Sequence, residues 1–410
     1  MEHTYKAISF LFLLFLTPIS AQQNQFVKVE GKKFIKPNGE TLLLKGINLG
    51  NWLNPEGYMF HFKNANSARL INDVFTELLG PEETKSFWRS FRENYITQED
   101  IKFIKKIGLN SIRVPFNFRL FCTEEYPAIY NDEGFQYLDS LISWCSKVGL
   151  LVILDMHAAP GGQTGDNIDD SWGYPFLYDS EAMQNLTAEL WQKIASRYKN
   201  ETTVLGYDLL NEPIPHFFDQ NYFNPKLEPL YKKIVSAIRQ VDTNHIIFLG
   251  GAQWDTNFKV FNEPFDKKLA YTFHKYWMPI QQKEIQEYIN FRDKYNVPIW
   301  LGESGENKDE WISSFRELLE KNSIGWCFWP YKKMDSQSSI VSFSRTKEWD
   351  EIIKYANSLR NNFEAVRKNR PSNQIIKKAF NDLLENIKLK NCKINNSYIN
   401  ALGCKFKNHP

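Results

Sequence analysis

Eight short apolar runs recur along this chain, and segments with apolar residues three or four positions apart lie between most of them. The strand-like runs span residues 42–49, 111–115, 150–157, 204–211, 245–249, 269–274, 298–303 and 324–329. The helical patterns span residues 101–107, 135–148, 183–198, 230–241, 285–295 and 311–320. This alternation is typical of a parallel sheet with helical crossovers. Eight strands in series favour a closed (β/α)8 barrel, the TIM barrel of the α/β class, over an open doubly wound sheet.

The two ends of the chain are predicted to lie outside the barrel. Lys6, an apolar run at residues 7–16 and small residues up to Ala21 predict a secretory signal peptide at residues 1–21. The alternative is a transmembrane anchor, but a run this short does not comfortably cross about 30 Å of hydrocarbon. The expected mature protein is therefore secreted, extracellular or periplasmic, without a membrane span. A single barrel domain is predicted at residues 22–370, and residues 371–410 are predicted to form a partly helical extension packed on it.

The amino-acid composition limits the kinds of ligand that the chain is expected to bind. The chain carries 50 Lys and Arg against 48 Asp and Glu, a net charge of +2, and has no basic run. Such a chain lacks the electrostatic footprint of nucleic-acid binding, so an uncharged or weakly charged ligand is expected. Its 15% aromatic content fits either sugar-stacking surfaces or a large core. Five cysteines cannot all pair; a bridge between Cys392 and Cys404 stays open, and no Cys/His spacing suggests zinc.

Polar and aromatic residues follow or end the apolar runs. In a (β/α)8 barrel the carboxyl ends of the strands form the active-site face, so these side chains are predicted to meet at the barrel mouth. The predicted site residues are Arg113, His157, Asn211, Glu212, His274, Tyr276, Glu303 and Trp329.

Two of these residues are carboxylates on opposite sides of the predicted barrel. Glu212 follows the fourth run and Glu303 ends the seventh. Glycoside hydrolysis needs such a pair, and a gap of about 5–5.5 Å between the carboxyl groups implies a covalent glycosyl-enzyme with retained configuration. Asn211 is placed to reach the sugar 2-hydroxyl, and Arg113 and Tyr276 can hold Glu303 ionised as the nucleophile. Glu212 is then the acid/base with a raised pKa, and no cofactor or metal is expected because side chains supply every reactive group.

The order of these motifs resembles glycoside hydrolase family 5, a family of retaining β-glycosidases on (β/α)8 barrels. The matching segments are GLNSIRVP at 108–115, LDMH at 154–157, NEP at 211–213, FHKY at 273–276, GES at 302–304 and WCFW at 326–329. The resemblance covers roughly residues 26–331. The second glutamate lies in Gly-Glu-Ser-Gly where many members have Gly-Glu-Phe-Gly, which can alter the pocket wall without changing the chemistry.

The resemblance implies a role for each site residue. Glu303 is implied to be the nucleophile, supported by Arg113 and hydrogen-bonded by Tyr276. Glu212 is implied to be the acid/base, positioned by His274. The other residues are implied to contact the sugar in the −1 subsite: His157, Asn211 and, as its floor, Trp329.

The sequence leaves several alternatives for the substrate of this chain within the family. Residues 45–52 and 157–163 look most like the exo-β-1,3-glucanase and related β-glucan branches, and long loops after the first and third runs can close one end of a cleft. An open-cleft endo-β-1,4-glucanase is the runner-up, and short β-glucosides or glycolipids are a further alternative. From another class, a non-catalytic carbohydrate-binding protein would keep the aromatic residues but could lose a carboxylate, whereas both are present here.

Several residues near the predicted mouth carry weaker hypotheses. Aromatic loop residues either stack sugars in outer subsites or pack within their loops; they are Trp172, Tyr174, Trp254 and Trp277. Asn51 and Trp52 are candidates for contacting a non-reducing end. Residues 161–165, GGQTG, lack the Lys-Ser/Thr ending of a phosphate loop and are interpreted as a flexible rim loop.

Overall fold

The computed structural model describes residues 25–127 and 129–405. A small antiparallel sheet comes first, with strands β1 (Lys28–Glu30), β2 (Lys33–Ile35) and β3 (Thr41–Leu42). The barrel strands follow: β4 (Lys45–Asn48), β5 (Ser111–Asn117), β6 (Leu151–Ala158), β7 (Val204–Asp208), β8 (Ile246–Gly250), β9 (Leu269–His274), β10 (Ile299–Glu303) and β11 (Gly325–Phe328). A third sheet contains β12 (Lys332–Met334), β13 (Val341–Phe343) and β14 (Lys393–Ile394).

The eight barrel strands are parallel, and pairing of β11 with β4 closes the sheet. The predicted (β/α)8 barrel is therefore confirmed against the open doubly wound alternative, and each predicted strand is present. Strands β5, β7, β8, β9 and β10 are buried at every position, as expected of parallel strands covered on both faces. The predicted fourth strand is shorter than expected, because the chain leaves the sheet after Asp208 and turns at Glu212, where φ is 48°.

Helices surround the barrel, and all six predicted ones are present. The helices are Ala68–Leu79, Pro81–Tyr95, Gln98–Lys106, Glu133–Val148, Glu181–Tyr198, Gln220–Arg239, Lys283–Tyr295, Asp309–Lys321, Lys347–Ala356, Phe363–Asn369, Asn373–Asn386 and Asn396–Ala401. Between β8 and β9 the chain forms only short turns at Ala252–Asp255 and Phe258–Val260, as the length of this connection predicts. Among the described residues, no helix has the length and apolar character needed to cross a bilayer. The predicted signal peptide lies outside the described residues.

Apolar side chains fill the barrel interior at its amino-terminal end. Trp300 of β10 contacts Phe248 of β8 at a ring-centroid distance of 5.1 Å, and neighbouring strands add Leu205, Ala270 and Cys327. Such filling makes the barrel a packed core rather than a pore. Polar side chains are therefore concentrated at the opposite, carboxyl end of the strands.

The described residues after position 370, up to residue 405, pack on the outside of the barrel. Phe380 lies 4.9 Å from Phe75 and 5.0 Å from Phe87 between ring centroids, and β14 pairs with β13. A boundary at residue 370/371 stays a prediction. All five cysteines are free thiols, so the bridge left open between Cys392 and Cys404 is not formed.

Candidate active site

Arg113 of β5 lies at the centre of a polar network at the barrel mouth and is fully buried. Its guanidinium contacts five side chains: Asn48 (3.2 Å), Asp155 (3.1 Å), Asp208 (2.8 Å), Asn211 (2.8 Å) and Glu303 (3.0 Å). Burial alone would lower the pKa of Arg113, but the surrounding carboxylates outweigh burial and raise it. The guanidinium is therefore a permanent positive charge against which the site is assembled.

Glu303, at the end of β10, is held by two donors. Arg113 donates to Oε2 at 3.0 Å, and the Tyr276 hydroxyl donates to Oε1 at 2.7 Å, as the sequence predicted. Burial raises the pKa of Glu303, whereas Arg113, His157 and the Tyr276 hydrogen bond act to lower it. These donors favour the ionised form of the carboxyl group.

Glu212 faces a different environment just beyond β7. Its Oε1 lies 2.9 Å from Nδ1 of His274, and its backbone N–H donates to Asp255. Burial, followed by the charge of Glu303, raises the pKa of Glu212 well above the usual glutamate value. Burial, with Arg113 and His157, lowers the pKa of His274 well below its usual value, so this imidazole is neutral. The surroundings of the two glutamates therefore differ: donors and positive charge favour the ionised form of Glu303, whereas burial and the charge of Glu303 favour the protonated form of Glu212.

The two carboxyl groups are close enough to act on one bond. An oxygen of Glu212, an oxygen of Glu303 and a nitrogen of His274 all lie within 4.8 Å of one another. Both glutamates are largely buried, with 8% and 7% of their surface exposed. A short carboxyl separation is the geometry of retaining glycosidases, because inverting enzymes need about 6.5–9.5 Å to accommodate a water.

His157 and Trp329 pack against each other beside the two glutamates. Their rings are parallel within 7°, with centroids 5.7 Å apart. Burial would lower the pKa of His157, but the Asp155 carboxylate, 2.8 Å from Nδ1, raises it to about 10. The Trp329 indole N–H donates to the Tyr58 hydroxyl at 2.6 Å. Any side chain at Gly50 would come within 2.4 Å of the Trp329 ring, so glycine permits close packing of the loop there.

Comparison with known proteins agrees with this geometry. The family model described as cellulase, glycosyl hydrolase family 5, matches residues 75–335. The chain belongs to glycosyl hydrolase family 5. It is thus an O-glycosyl hydrolase of a family for which the retaining mechanism is typical.

Relatives of this family 5 hydrolase have several named activities. A β-xylosidase of Phanerodontia chrysosporium is 27% identical over 352 residues, which are 77% of this chain and 72% of that protein. Endoglucanase C of Acetivibrio thermocellus is 26% identical over 311 residues, which cover 61% of this chain and 88% of that protein. A glucan 1,3-β-glucosidase of Lachancea kluyveri is 30% identical over 265 residues, which cover 59% of this chain and 58% of that protein.

The structure places all eight predicted residues of the family 5 hydrolase at the barrel mouth, and it adds residues that the sequence analysis missed. Glu56 is 5% exposed, and its Oε1 has no hydrogen-bond partner within residues 25–127 and 129–405; this oxygen lies 3.7 Å from Nε2 of His157. Glu56 lies in an irregular loop, where no periodic pattern marks it. Asp155 and Asp208 were detectable, because a charge inside an apolar strand needs a buried partner.

Two of the weaker hypotheses are wrong. Trp52 is buried and its indole N–H donates to the Arg92 carbonyl at 2.8 Å, so it is a core residue and not a sugar contact. Residues 161–165 are not a flexible rim: Gln163 is fully buried, and its amide donates to the backbone carbonyls of His157 and Asn211 at 2.8 and 2.9 Å. This loop thus ties two site residues together.

The aromatic residues proposed for outer subsites differ in exposure. Trp172 and Trp277 are 59% and 68% exposed, and the Arg69 guanidinium lies 4.0 Å from the centroid of the Trp172 ring. Trp254 is half-buried, and its indole N–H donates to His216 at 3.1 Å. Tyr174 donates to Asp179 at 2.7 Å. A role for them in sugar stacking stays a prediction.

Replacing Arg113 tests how far the site depends on its central cation. Arg113→Met is expected to lower the free energy of unfolding by about 3–5 kcal/mol, because buried carboxylates lose their compensating charge. Urea unfolding followed by tryptophan fluorescence measures this. The control is Arg197→Met, which breaks a half-exposed pair with Asp139 and is expected to cost at most about 1 kcal/mol. Equal effects of the two substitutions would contradict a central role for Arg113.

Proposed function

We propose that this chain hydrolyses β-glucosidic bonds in β-glucans by double displacement, with Glu303 as nucleophile and Glu212 as acid/base. The observation that carries the proposal is that an oxygen of Glu212 and an oxygen of Glu303 lie within 4.8 Å of each other while the two carboxyl groups have opposite surroundings. Arg113 and Tyr276 stabilise the charge on Glu303. Burial, followed by the negative charge of Glu303, raises the pKa of Glu212 and so stabilises its protonated form.

The proposed reaction has two steps. Glu303 attacks the anomeric carbon while Glu212 donates its proton to the departing glycosidic oxygen, so the sugar becomes esterified to Glu303. Esterification removes the negative charge of Glu303, and the pKa of Glu212 falls in response. Glu212 then takes a proton from water, the water oxygen attacks the anomeric carbon, and Glu303 leaves as a carboxylate. Two inversions restore the β configuration.

Side chains and one water molecule supply every proton and electron pair in this scheme. Glu212, His274 and Glu303 also have a spacing at which a metal ion can be held. The fixed positive charge of Arg113, 3.0 Å from Glu303, opposes a second cation there. We therefore expect full activity in the presence of a chelator.

The pH dependence of kcat/KM tests the two assignments. Activity is expected to be lost as pH falls through the pKa of Glu303, because a protonated nucleophile cannot attack. It is expected to be lost again as pH rises through the pKa of Glu212, which then lacks its proton. The profile should be bell-shaped, and burial should move the alkaline limb well above the usual glutamate pKa. A single ionisation would contradict the pair.

Exo-action on β-1,3-glucan is the form of the activity that we favour. The loop after β4 contributes Glu56 and Tyr58 to the site: Glu56 lies beside His157, and Tyr58 accepts the hydrogen bond from Trp329. We infer that this loop closes one end of the sugar-binding site, which favours a pocket over a cleft open at both ends. The relative named glucan 1,3-β-glucosidase supports the linkage.

An endo-β-1,4-glucanase is the second candidate, which the relative named endoglucanase C favours. Release of products from laminarin, cellulose, xyloglucan and mannan, measured side by side, separates the two. Glucose as the first product from laminarin is expected. Oligosaccharides released first from cellulose would favour the second candidate.

Export from the cell belongs to the same proposal. Lys6, the apolar run at residues 7–16 and the small residues ending at Ala21 support a cleaved signal peptide. A polysaccharide too large to enter a cell also needs an enzyme outside the cytoplasm. Mass spectrometry of the protein expressed in its host is expected to find an amino terminus at or near Gln22, and a retained Met1 would contradict cleavage.

A further inference from the structure

Asp255 is a fully buried carboxylate directly behind Glu212. Its Oδ2 accepts a hydrogen bond from the Glu212 backbone N–H at 3.1 Å and lies 3.3 Å from Nε2 of His274. The other nitrogen of that imidazole, Nδ1, lies 2.9 Å from Glu212 Oε1. One oxygen of Asp255 thus contacts both the backbone of the proposed acid/base and the far side of its imidazole partner.

The backbone around this contact adopts a conformation that non-glycine residues rarely adopt. Gln253, Trp254 and Asp255 have φ values of 52°, 62° and 60°, and Glu212 and Ile214 have 48° and 54°. Left-handed residues of this kind are unfavourable and persist where the surroundings hold them, often at functional sites. Here the two segments hold each other, since Gln253 N–H donates to the Ile214 carbonyl at 2.8 Å and Glu212 N–H donates to Asp255.

The packing around Asp255 leaves its carboxyl group directed at Glu212. A Cβ at Gly250 would lie 1.9 Å from Asp255 Oδ1, so only glycine leaves room for this side chain. Oδ1 itself has no hydrogen-bond partner among the described residues. Burial of a carboxylate is costly unless polar contacts compensate it. Burial, followed by the charges of Asp208 and Glu212, accordingly raises the pKa of Asp255 well above the usual aspartate value. The polar groups next to its Oδ2 are the Glu212 backbone N–H and the His274 ring.

We propose that Asp255 is a positioning residue for the acid/base: it holds the Glu212 turn and the His274 ring so that the Glu212 carboxyl group faces the glycosidic oxygen. The inference rests on the proposed assignment of Glu212. A misplaced acid slows the cleavage of bonds whose leaving group needs a proton, whereas a leaving group that departs as a stable anion does not depend on it. Asp255 therefore affects substrates selectively.

Two aryl β-glucosides reveal this selectivity. 2,4-Dinitrophenyl β-glucoside has a leaving group that needs no proton, and 4-methylumbelliferyl β-glucoside has a much poorer one. For Asp255→Asn, which keeps the size of the side chain, kcat/KM is expected to fall about tenfold more on the methylumbelliferyl substrate than on the dinitrophenyl substrate. For Asp255→Ala, which also removes the acceptor for Glu212 N–H, the difference is expected to reach about 100-fold. If the alanine variant does not fold, the asparagine variant carries the test.

A second buried aspartate offers a matched control. Asp242 pairs with His245 at 2.6 Å beside the start of β8, at the opposite end of the barrel from the site. Asp242→Asn is expected to change both substrates by the same factor. Equal losses, or no loss, on the two substrates in Asp255→Asn overturn the inference while leaving the proposed function intact. A wild-type chain that hydrolyses neither substrate overturns the assignment of Glu212 and this inference with it.

Discussion

Glu303→Gln is expected to reduce kcat on an aryl β-glucoside by about 10⁴-fold or more, as for the loss of other catalytic nucleophiles. The amide has nearly the shape of the carboxylate, but Arg113 and Tyr276 donate to different oxygens of Glu303, so the single amide oxygen can accept only one of these two hydrogen bonds. It lacks the negative charge that attacks the anomeric carbon and stabilises the positive charge developing there. Steady-state release of the phenol gives kcat, and mass spectrometry of the wild-type chain trapped with a 2-fluoroglucoside is expected to place the label on Glu303.

The same substitution at another buried glutamate provides the control. Glu228 accepts hydrogen bonds from Asn262 on the outside of the barrel and is only 5% exposed. Glu228→Gln is expected to leave kcat within about threefold, since it contacts no reacting group. A Glu303→Gln variant that keeps its activity would remove the nucleophile assignment. A wild-type chain that binds glucan without ever cleaving it would favour the non-catalytic alternative.

Glu212→Ala is expected to lower kcat/KM on poor leaving groups by about 10²–10⁴-fold, the usual contribution of a general acid. Cleavage of a 2,4-dinitrophenyl glucoside should be much less affected, because this phenolate leaves without protonation. The second step then limits turnover, because no base activates water. Azide needs no base, so it is expected to accelerate turnover and to yield β-glucosyl azide, which nuclear magnetic resonance identifies.

The configuration of that azide product decides between mechanisms. A β product requires two displacements at the anomeric carbon, in agreement with the short distance between Glu212 and Glu303. An α product, or no effect of azide, would contradict the role of Glu212 in a retaining mechanism. Glu228→Ala should show no azide effect and serves as the control.

Sequence patterns predicted the barrel and the eight predicted site residues because both depend on local order. Apolar runs alternate with amphipathic segments, so strands such as β9 could be located to the residue. Polar residues directly after such runs must lie at the carboxyl end of the barrel, which placed Glu303 and Tyr276 within reach of each other. Two strands were predicted too long: the first run spans residues 42–49 whereas β4 is Lys45–Asn48, and β7 ends before the left-handed turn at Glu212. A turn held by a distant aspartate has no local signal.

The sequence by itself therefore determined the fold class and the two carboxylates with their closest partners. The tertiary structure decided which other groups belong to the site. Glu56 and Asp255 come from irregular loops, and Asp255 is 43 residues from the Glu212 backbone that it contacts. The tertiary structure also determines how far Glu212 and Glu303 are removed from water, because many distant segments pack around them. This burial raises the pKa of both glutamates. The local sequence pattern predicts which side chains a strand places at the barrel mouth. The charges and the low dielectric around those side chains depend on loops that are distant in the sequence and meet only in the folded chain.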